Sequence, residues 1–203
     1  MGKLIATEFL TLDGVAQAPG EPDEDREGGF SHGGWQMPLL DEASGAAMFQ
    51  QASGMDALLL GRKTYDIFAG YWPKAPADIP FTGLLNGVPK YVASRTLAEP
   101  LTWANSTLVD GDLAERVAEM KDRHAEVHVI GSLDLMRSLL RHGLVDRLNL
   151  WLYPVVLGTG KRLFGEGTVP TALRLTESVI HAHGALRLTY EPVGAPTYGD
   201  AAA

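Results

Sequence analysis

The chain of 203 residues contains no cysteine and no long apolar run. The absence of cysteine excludes disulfide bonds, iron–sulfur clusters, thiolate zinc sites and cysteine nucleophiles, and it is typical of a reducing compartment. No segment approaches the roughly 20 apolar residues that cross a membrane. Glu8 also interrupts the only stretch near the N-terminus that resembles the apolar core of a signal peptide. We therefore expect a cytoplasmic protein that does not bind membranes.

Basic residues are also scarce, since 17 Lys and Arg face 25 Asp and Glu and leave a net charge of −8. Five acids and one base lie between Glu21 and Glu27, so −4 of this charge is in one short stretch. We interpret that stretch as a solvated loop. Sequence-independent binding of nucleic acid needs a basic face, so no nucleic-acid partner is expected. No metal-ligand motif is present either, and no metal is expected.

Hydrophobic periodicity and turn residues predict strands that alternate with helices. The predicted strands are 3–12, 55–60, 90–94, 127–130, 148–156, 173–181 and 186–192, and the predicted helices are 38–53, 62–69, 112–124 and 131–143. Asp112 and Ser132 are predicted N-caps, and Gly143 is a predicted C-terminal glycine. The segments 16–34, 71–86 and 158–167 are predicted loops.

This order of elements predicts one α/β domain over residues 1–193, followed by a flexible tail over 194–203. Strand–helix units come first and a hairpin about His183 and Gly184 comes last. Such an order favours a mainly parallel sheet with an antiparallel edge.

Three strand ends carry residues suited to phosphate groups. Residues 60–64 and 129–132 each join a strand to a helix through glycine, and residues 93–95 end a strand with a hydroxyl and a guanidinium. The start of a helix offers free N–H groups to an anion, and ligands of open α/β sheets bind at the carboxyl ends of strands. Each glycine alone is more typical of a plain turn than of a ligand site. Together the three junctions favour a nucleotide site.

A further cluster begins at Trp35 and Pro38 and continues to Asp41 and Glu42 in a predicted first helical turn. A carboxylate at that position stabilises the helix as a cap. The same carboxylate could instead hold the polar edge of a heterocycle or relay a proton. The residues alone leave both interpretations open.

In this order, the motifs resemble the dihydrofolate reductase-like superfamily. The resemblance is closest to the C-terminal reductase domain of the bifunctional deaminase-reductase of riboflavin biosynthesis and to its stand-alone bacterial relatives. It rests on residues 11–15 (TLDGV), Trp35-x-x-Pro38, 61–64 (GRKT), 94–95 (SR), 129–132 (VIGS), 143–146 (GLVD) and 153–158 (YPVVLG). The resemblance implies a three-layer fold with a mixed sheet of about eight strands, an NADPH cofactor, hydride transfer to a pterin or pyrimidine, and a homodimer.

The resemblance also assigns roles to individual residues. Those implied to bind the cofactor are Gly14, Val15 and Ala16 at the nicotinamide, Gly61, Arg62 and Thr64 at the phosphates, Ser94 and Arg95 at the 2′-phosphate, and Ile130, Gly131, Ser132, Leu133 and Leu135 at the pyrophosphate and ribose. Those implied to bind substrate are Asp13, Trp35 and Asp41, with Asp41 as the catalytic acid. Folate reductases place that acid five residues after the tryptophan, where this chain has Leu40. A shift of one residue turns a helical side chain by about 100°, which counts against dihydrofolate as the substrate.

Two functions remain open from the sequence. The first is an NADPH-dependent reductase of a small heterocyclic substrate, of the pyrimidine or pterin type, resembling 5-amino-6-(5-phosphoribosylamino)uracil reductase. The alternative is a non-catalytic nucleotide- or pterin-binding protein on the same fold, because a fold does not determine a function. The apolar run Leu148, Leu150, Trp151 and Leu152 suits either a dimer interface or the core.

Overall fold

One eight-stranded sheet organises the protein, whose computed structural model describes residues 1–200. The strands are β1 (Lys3–Thr11), β2 (Ala57–Gly61), β3 (Lys90–Ala93), β4 (Ser106–Val109), β5 (Glu126–Ile130), β6 (Arg147–Tyr153), β7 (Ala172–Ile180) and β8 (Leu186–Gly194). Their order in the sheet is β4-β3-β2-β5-β1-β6-β8-β7. The six strands from β4 to β6 are parallel, whereas β8 is antiparallel to β6 and to β7. The predicted α/β class, mainly parallel sheet and C-terminal hairpin are confirmed.

Five α-helices cover the two faces of this sheet. They are α1 (Glu42–Ala52), α2 (Arg62–Tyr71), α3 (Pro80–Gly87), α4 (Leu113–Arg123) and α5 (Leu133–Arg141). Buried side chains of α1, α2 and α3 pack on one face, and those of α4 and α5 pack on the other. Right-handed crossovers explain this division. The connections that lead towards the β3 edge of the sheet and those that lead towards β6 run in opposite directions, so a crossover of the same hand places their helices on opposite faces.

Two elements were not predicted. The segment 71–86 is not a loop, since it contains the end of α2, a 3-10 turn at Trp72–Lys74 and helix α3. Pro80 occupies the first turn of α3, where the missing N–H has no helical partner to lose, and Leu85 packs in the core beneath it. Strand β4 was missed because its sequence, STLV, does not alternate between apolar and polar residues.

Three predicted boundaries also change. The helix predicted from residue 38 begins at Glu42, because a 3-10 turn at Met37–Leu39 precedes it and Asp41 is its N-cap. Ser132 is not an N-cap by side chain, since its backbone is left-handed (φ 69°, ψ 62°) and its hydroxyl faces another element. Strand β6 ends at Tyr153, before Pro154, rather than at residue 156.

The predicted N-cap at Asp112 and the C-terminal glycine at Gly143 agree with the structure. Asp112 accepts hydrogen bonds from the backbone N–H groups of Ala114 and Glu115 at 2.9 and 3.1 Å, as an N-cap does. Gly143 follows α5 with a φ of 62°, which a glycine adopts without strain. Leu148 and Trp151 are fully buried, so the apolar run of β6 belongs to the core of this chain. Residues 195–200 contain no helix or strand, and 201–203 lie outside the described residues.

No helix within residues 1–200 combines the length and the apolar character needed to cross a bilayer.

Candidate active site

A cleft with a volume of about 1050 Å³ opens at the carboxyl ends of β2, β3 and β5. This is the edge at which open α/β sheets bind their ligands. The sequence-predicted cofactor residues that line it are Ala16, Gly61, Arg62, Thr64, Ser94, Arg95, Ile130, Gly131, Ser132, Leu133 and Leu135. The structure therefore brings the three predicted junctions together in one cavity.

Two of these junctions are in direct contact. The Gly61 N–H donates to the Ser132 hydroxyl oxygen at 2.8 Å. A Cβ on Gly61 would lie 3.0 Å from the Cβ and the Oγ of Ser132, so only glycine fits without a displacement. Gly131 and Ser132 both have a φ of 69°, and these two left-handed residues turn the chain from β5 into α5.

Among residues 1–200, no side chain caps α2 or α5, the two helices that begin at this cleft. By contrast, Asp41 caps α1 and Asp112 caps α4. The first N–H groups of α2 and α5 therefore remain available to a ligand. Free N–H groups together with the positive end of the helix dipole form an anion site.

The loop after β3 and the first turn of α2 each place one guanidinium group, of Arg95 and Arg62, in the lining of the cleft. The Ser94 hydroxyl oxygen accepts from the N–H groups of Thr96 and Leu97 at 3.2 and 3.1 Å and so orders the turn. Arg62 donates to the Thr96 hydroxyl at 2.7 Å, which joins α2 to this turn. Within residues 1–200, Arg95 has neither a hydrogen-bond nor an ion-pair partner. Its charge is available to an anionic group.

The Asp13 region supports the cleft from outside. Gly14 and Val15 are absent from the cleft lining of the described chain, although their neighbour Ala16 belongs to it. The Asp13 carboxylate accepts from the backbone N–H groups of Leu157 and Gly158 at 3.2 and 2.8 Å. A hydrogen bond from the Thr11 hydroxyl, assisted by these backbone donors, lowers the pKa of Asp13 to about 2. In this structure the Asp13 carboxylate thus fastens the 155–163 loop to the end of β1.

Trp35 and Asp41 also lie outside the cleft. The Trp35 ring is buried, donates its Nε1–H to the Gln17 carbonyl at 2.8 Å and meets Tyr153 edge to face. The Asp41 carboxylate accepts from the Ser44 N–H at 2.7 Å, and hydrogen bonding by Ser44 lowers its pKa. Within the described chain, Asp13, Trp35 and Asp41 therefore do not line the cleft, although Trp35 packs in the same buried cluster as Val15.

The acidic stretch is only partly solvated, which corrects the interpretation made from its sequence. Asp25 pairs with Lys161 at 2.6 Å, and Glu27 pairs with both Lys161 and Lys63. These contacts join the 16–34 loop to the 158–167 loop and to the first turn of α2. Asp23 is solvated as predicted, because its contact with Arg26 is exposed. Partners more than 30 residues away leave no signal in a local sequence window.

Glu8 is a polar residue of the cleft that the sequence reasoning did not select. It lies in β1, lines the cavity and is only 2% exposed. Its Oε1 has no hydrogen-bond partner within the described chain, and burial raises its pKa to about 8. The sequence does contain a sign of this role. Every second residue of β1 on this face is apolar (Leu4, Ala6, Leu10) except Glu8, and burial of a carboxylate among apolar residues is costly.

A second, smaller cavity of about 30 Å³ lies on the α1 face of the sheet. Phe9 and Ile130 border both this cavity and the cleft. Its other lining residues are Thr7, Met48, Gln51, Ala52, Phe81 and Trp151. The Trp151 Nε1–H donates to the Gln51 side-chain oxygen at 3.0 Å, so one polar pair is present in an otherwise largely apolar space.

Comparison with known proteins agrees with this geometry. A model of the RibD C-terminal domain matches residues 2–185. The chain belongs to the RibD C-terminal domain family. Among relatives of the family, the Bacillus subtilis protein YyaP is 29% identical over 140 residues, which is 67% of this chain and 73% of that protein.

Two solved structures of related fold extend the comparison. A protein described as a riboflavin biosynthesis protein of Shewanella sp. PV-4 superposes with a TM-score of 0.71 at 21% identity, over 94% of this chain and 99% of that one. A diaminohydroxyphosphoribosylaminopyrimidine deaminase/5-amino-6-(5-phosphoribosylamino)uracil reductase of Thermotoga maritima gives a TM-score of 0.61 at 14% identity. This match covers 95% of the present chain and 57% of the Thermotoga chain. The dihydrofolate reductase-like fold predicted from the sequence is thereby confirmed.

We predict that Asp41→Ala lowers stability without weakening nucleotide binding. Loss of an N-cap carboxylate costs about 1 kcal/mol of unfolding free energy, and Asp41 is not part of the cleft lining. Urea unfolding measures the first effect and calorimetric titration with NADPH measures the second. An Asp41→Asn variant, which keeps a capping oxygen, is the control and should retain most of the stability. A large loss of affinity in both variants would contradict the capping role.

We predict that Glu8→Gln changes the pH dependence of stability. The folded-state pKa of Glu8 is raised above its unfolded value, so the parent has its full relative stability below about pH 4.5. As the pH rises from there to about 8, the parent should lose roughly 1.4 kcal/mol per pH unit relative to the variant, and the difference should then level off. Urea unfolding over this pH series, with the exposed Glu166→Gln as control, measures the effect. Parallel profiles for parent and Glu8→Gln would exclude a buried neutral acid.

Proposed function

We propose that the protein is an NADPH-dependent reductase of a small heterocyclic substrate of the pyrimidine or pterin type. The observation that carries the proposal is that, within the described residues 1–200, two helix starts without side-chain caps and Arg95 without a partner meet in one cleft at the carboxyl end of the sheet. A dinucleotide with a 2′-phosphate has anionic groups for each of these features. Membership of the RibD C-terminal domain family supports an oxidoreductase in general.

The residues present fit such a cofactor. The start of α2, with Arg62 and Thr64, and the Gly131–Ser132 turn before α5 are suited to hold the pyrophosphate. Ser94 and Arg95 are suited to hold the 2′-phosphate, which NADPH has and NADH lacks. When bound, NADPH would supply the hydride, and the protein would supply orientation and electrostatics.

The substrate side of the site is proposed to lie beyond Phe9 and Ile130. The small cavity there has aromatic walls in Phe81 and Trp151 and an amide in Gln51, a combination suited to a flat ring with polar edges. Its volume of about 30 Å³ accommodates little more than one water molecule. Binding of a ring therefore requires its lining side chains to move. Membership of the RibD C-terminal domain family supports a pyrimidine as the substrate.

Consumption of NADPH, followed at its absorbance maximum, tests the proposed activity. The protein should oxidise NADPH with at least one member of a panel of pyrimidine, pterin and quinonoid substrates. Dihydrofolate belongs in the panel as the compound that the position of Asp41 disfavours. Tight binding of NADPH with no turnover of any compound would instead support the non-catalytic nucleotide-binding alternative.

We predict that Arg95→Ala weakens NADPH but leaves NADH almost unchanged. Loss of a charged hydrogen bond to the 2′-phosphate should cost roughly 1.5–3 kcal/mol of binding free energy, and NADH has no such phosphate. Titration calorimetry with both cofactors measures the difference. Arg123→Ala, in the last turn of α4 and outside the cleft, is the matched control. Equal losses for both cofactors would show that Arg95 does not recognise the 2′-phosphate.

A further inference from the structure

The carboxyl of Glu8 has an unmet hydrogen-bonding need that points to a ligand. Its strand neighbours on the same face, Ala6 and Leu10, belong to the apolar core under α4 and α5. Glu8 differs from them in lining the cleft, with a buried oxygen that has no partner among the described residues. Buried polar atoms of folded proteins almost always have a partner. Because Glu8 lines the cleft, a ligand there would supply the missing partner once a small movement of the side chain exposed this oxygen.

The end of β5 creates the space in front of Glu8. Strand β1 pairs with β5 as far as Thr7 and Ile130, after which the chain of β5 turns away through Gly131. Glu8 is thus the first residue of β1 beyond the end of β5. At this point the cleft reaches into the sheet between two strands.

Backbone groups of Phe9 border the same space. The N–H of Lys3 donates to Ala125, and the carbonyl of Thr7 accepts from Gly131, so odd-numbered residues of β1 direct their backbone polar groups towards β5. Backbone groups alternate in direction along a strand. Phe9 therefore directs its N–H and its carbonyl towards the side where β5 has already ended.

The side chain of Glu8 and the small cavity lie on opposite faces of the sheet. Side chains of successive strand residues alternate between faces, and Thr7 and Phe9 line the small cavity on the α1 face. Glu8 points instead towards the face of α5, whose N-terminal residues Leu133 and Leu135 also line the cleft. This placement favours contact with the cofactor over contact with a substrate in the small cavity.

We propose that Glu8, as the neutral acid, binds the carboxamide group of the nicotinamide ring. The inference rests on the proposed use of NADPH and adds a cofactor-binding residue to it. A neutral carboxyl presents one O–H donor beside one acceptor, and a primary carboxamide presents one acceptor beside N–H donors. Two parallel hydrogen bonds satisfy both groups, so Glu8 fixes the rotation of the ring at the sheet edge. Because the neutral carboxyl of Glu8 carries no charge, it needs no cationic partner in the cleft.

The test compares ligands with and without the carboxamide. Dissociation constants of NADPH and of 2′-phospho-ADP-ribose, which has no nicotinamide, are measured by calorimetry for the parent, Glu8→Leu and Glu8→Gln. Glu8→Leu should weaken NADPH roughly tenfold, as expected for the loss of two neutral hydrogen bonds, and leave 2′-phospho-ADP-ribose within about twofold. Glu8→Gln keeps a donor beside an acceptor and should restore most of the affinity. Melting curves establish that each variant is folded.

A second comparison isolates the amide itself. The 3-acetylpyridine analogue of NADP⁺ has a methyl group in place of the amide nitrogen. The parent should bind it several-fold more weakly than NADP⁺, whereas Glu8→Leu should bind the two alike.

The outcomes separate this inference from the function on which it rests. NADPH binding by Glu8→Leu at the parent's affinity overturns the role of Glu8 and leaves the reductase proposal intact. Equal weakening of NADPH and 2′-phospho-ADP-ribose also overturns it, because the effect would then be a general distortion of the cleft. Failure of the parent to bind either ligand overturns the proposed use of NADPH and the inference together.

Discussion

The hydrogen bond from the Gly61 N–H to the Ser132 hydroxyl holds the two strand-to-helix turns of the cleft side by side. The contact needs glycine at position 61, because a Cβ would press on Ser132. It also needs the left-handed turn through Gly131 and Ser132, which directs the hydroxyl towards β2 instead of towards the first turn of α5. Both helices consequently begin at one point, and within residues 1–200 neither has a side-chain cap, so the N–H groups that could hold an anion lie together.

The fold and the meeting of three strand ends in one cleft were predictable from sequence because their signals are local. Alternation, helical periodicity and glycine at strand ends lie within windows of about ten residues, and the parallel order of strands brings the junctions at 61–64, 94–95 and 130–132 to one edge. Ser132 shows the limit of such reasoning. It resembles an N-cap by position, yet its hydroxyl is used 71 residues away, at Gly61.

The remaining parts of the site depend on contacts between distant segments. The Asp13 carboxylate meets Leu157 and Gly158 across 144 and 145 residues, and Lys161 meets Asp25 across 136 residues. Neither pairing follows from a periodic pattern in the sequence. For Asp41 the sequence left two roles open, helix cap and catalytic acid. The position of α1 in the fold decides that this residue lies outside the cleft lining. The sequence shows Glu8 as an acid among the apolar residues of one strand face. Only the folded structure shows that its Oε1 has no hydrogen-bond partner among the described residues.

The contacts of Glu27 with Lys63 and Lys161 have a consequence for the attachment of the 16–34 loop. All three side chains are at least partly exposed, and exposed ion pairs contribute only about 0–1 kcal/mol each and weaken as salt increases. The 16–34 loop is therefore attached to α2 by contacts that break far more easily than the sheet unfolds. Lys63 also lies in the first turn of α2, where a phosphate would compete with Glu27 for its ammonium group. A phosphate at the start of α2 would therefore weaken the attachment of the 16–34 loop, and added salt would weaken the same attachment.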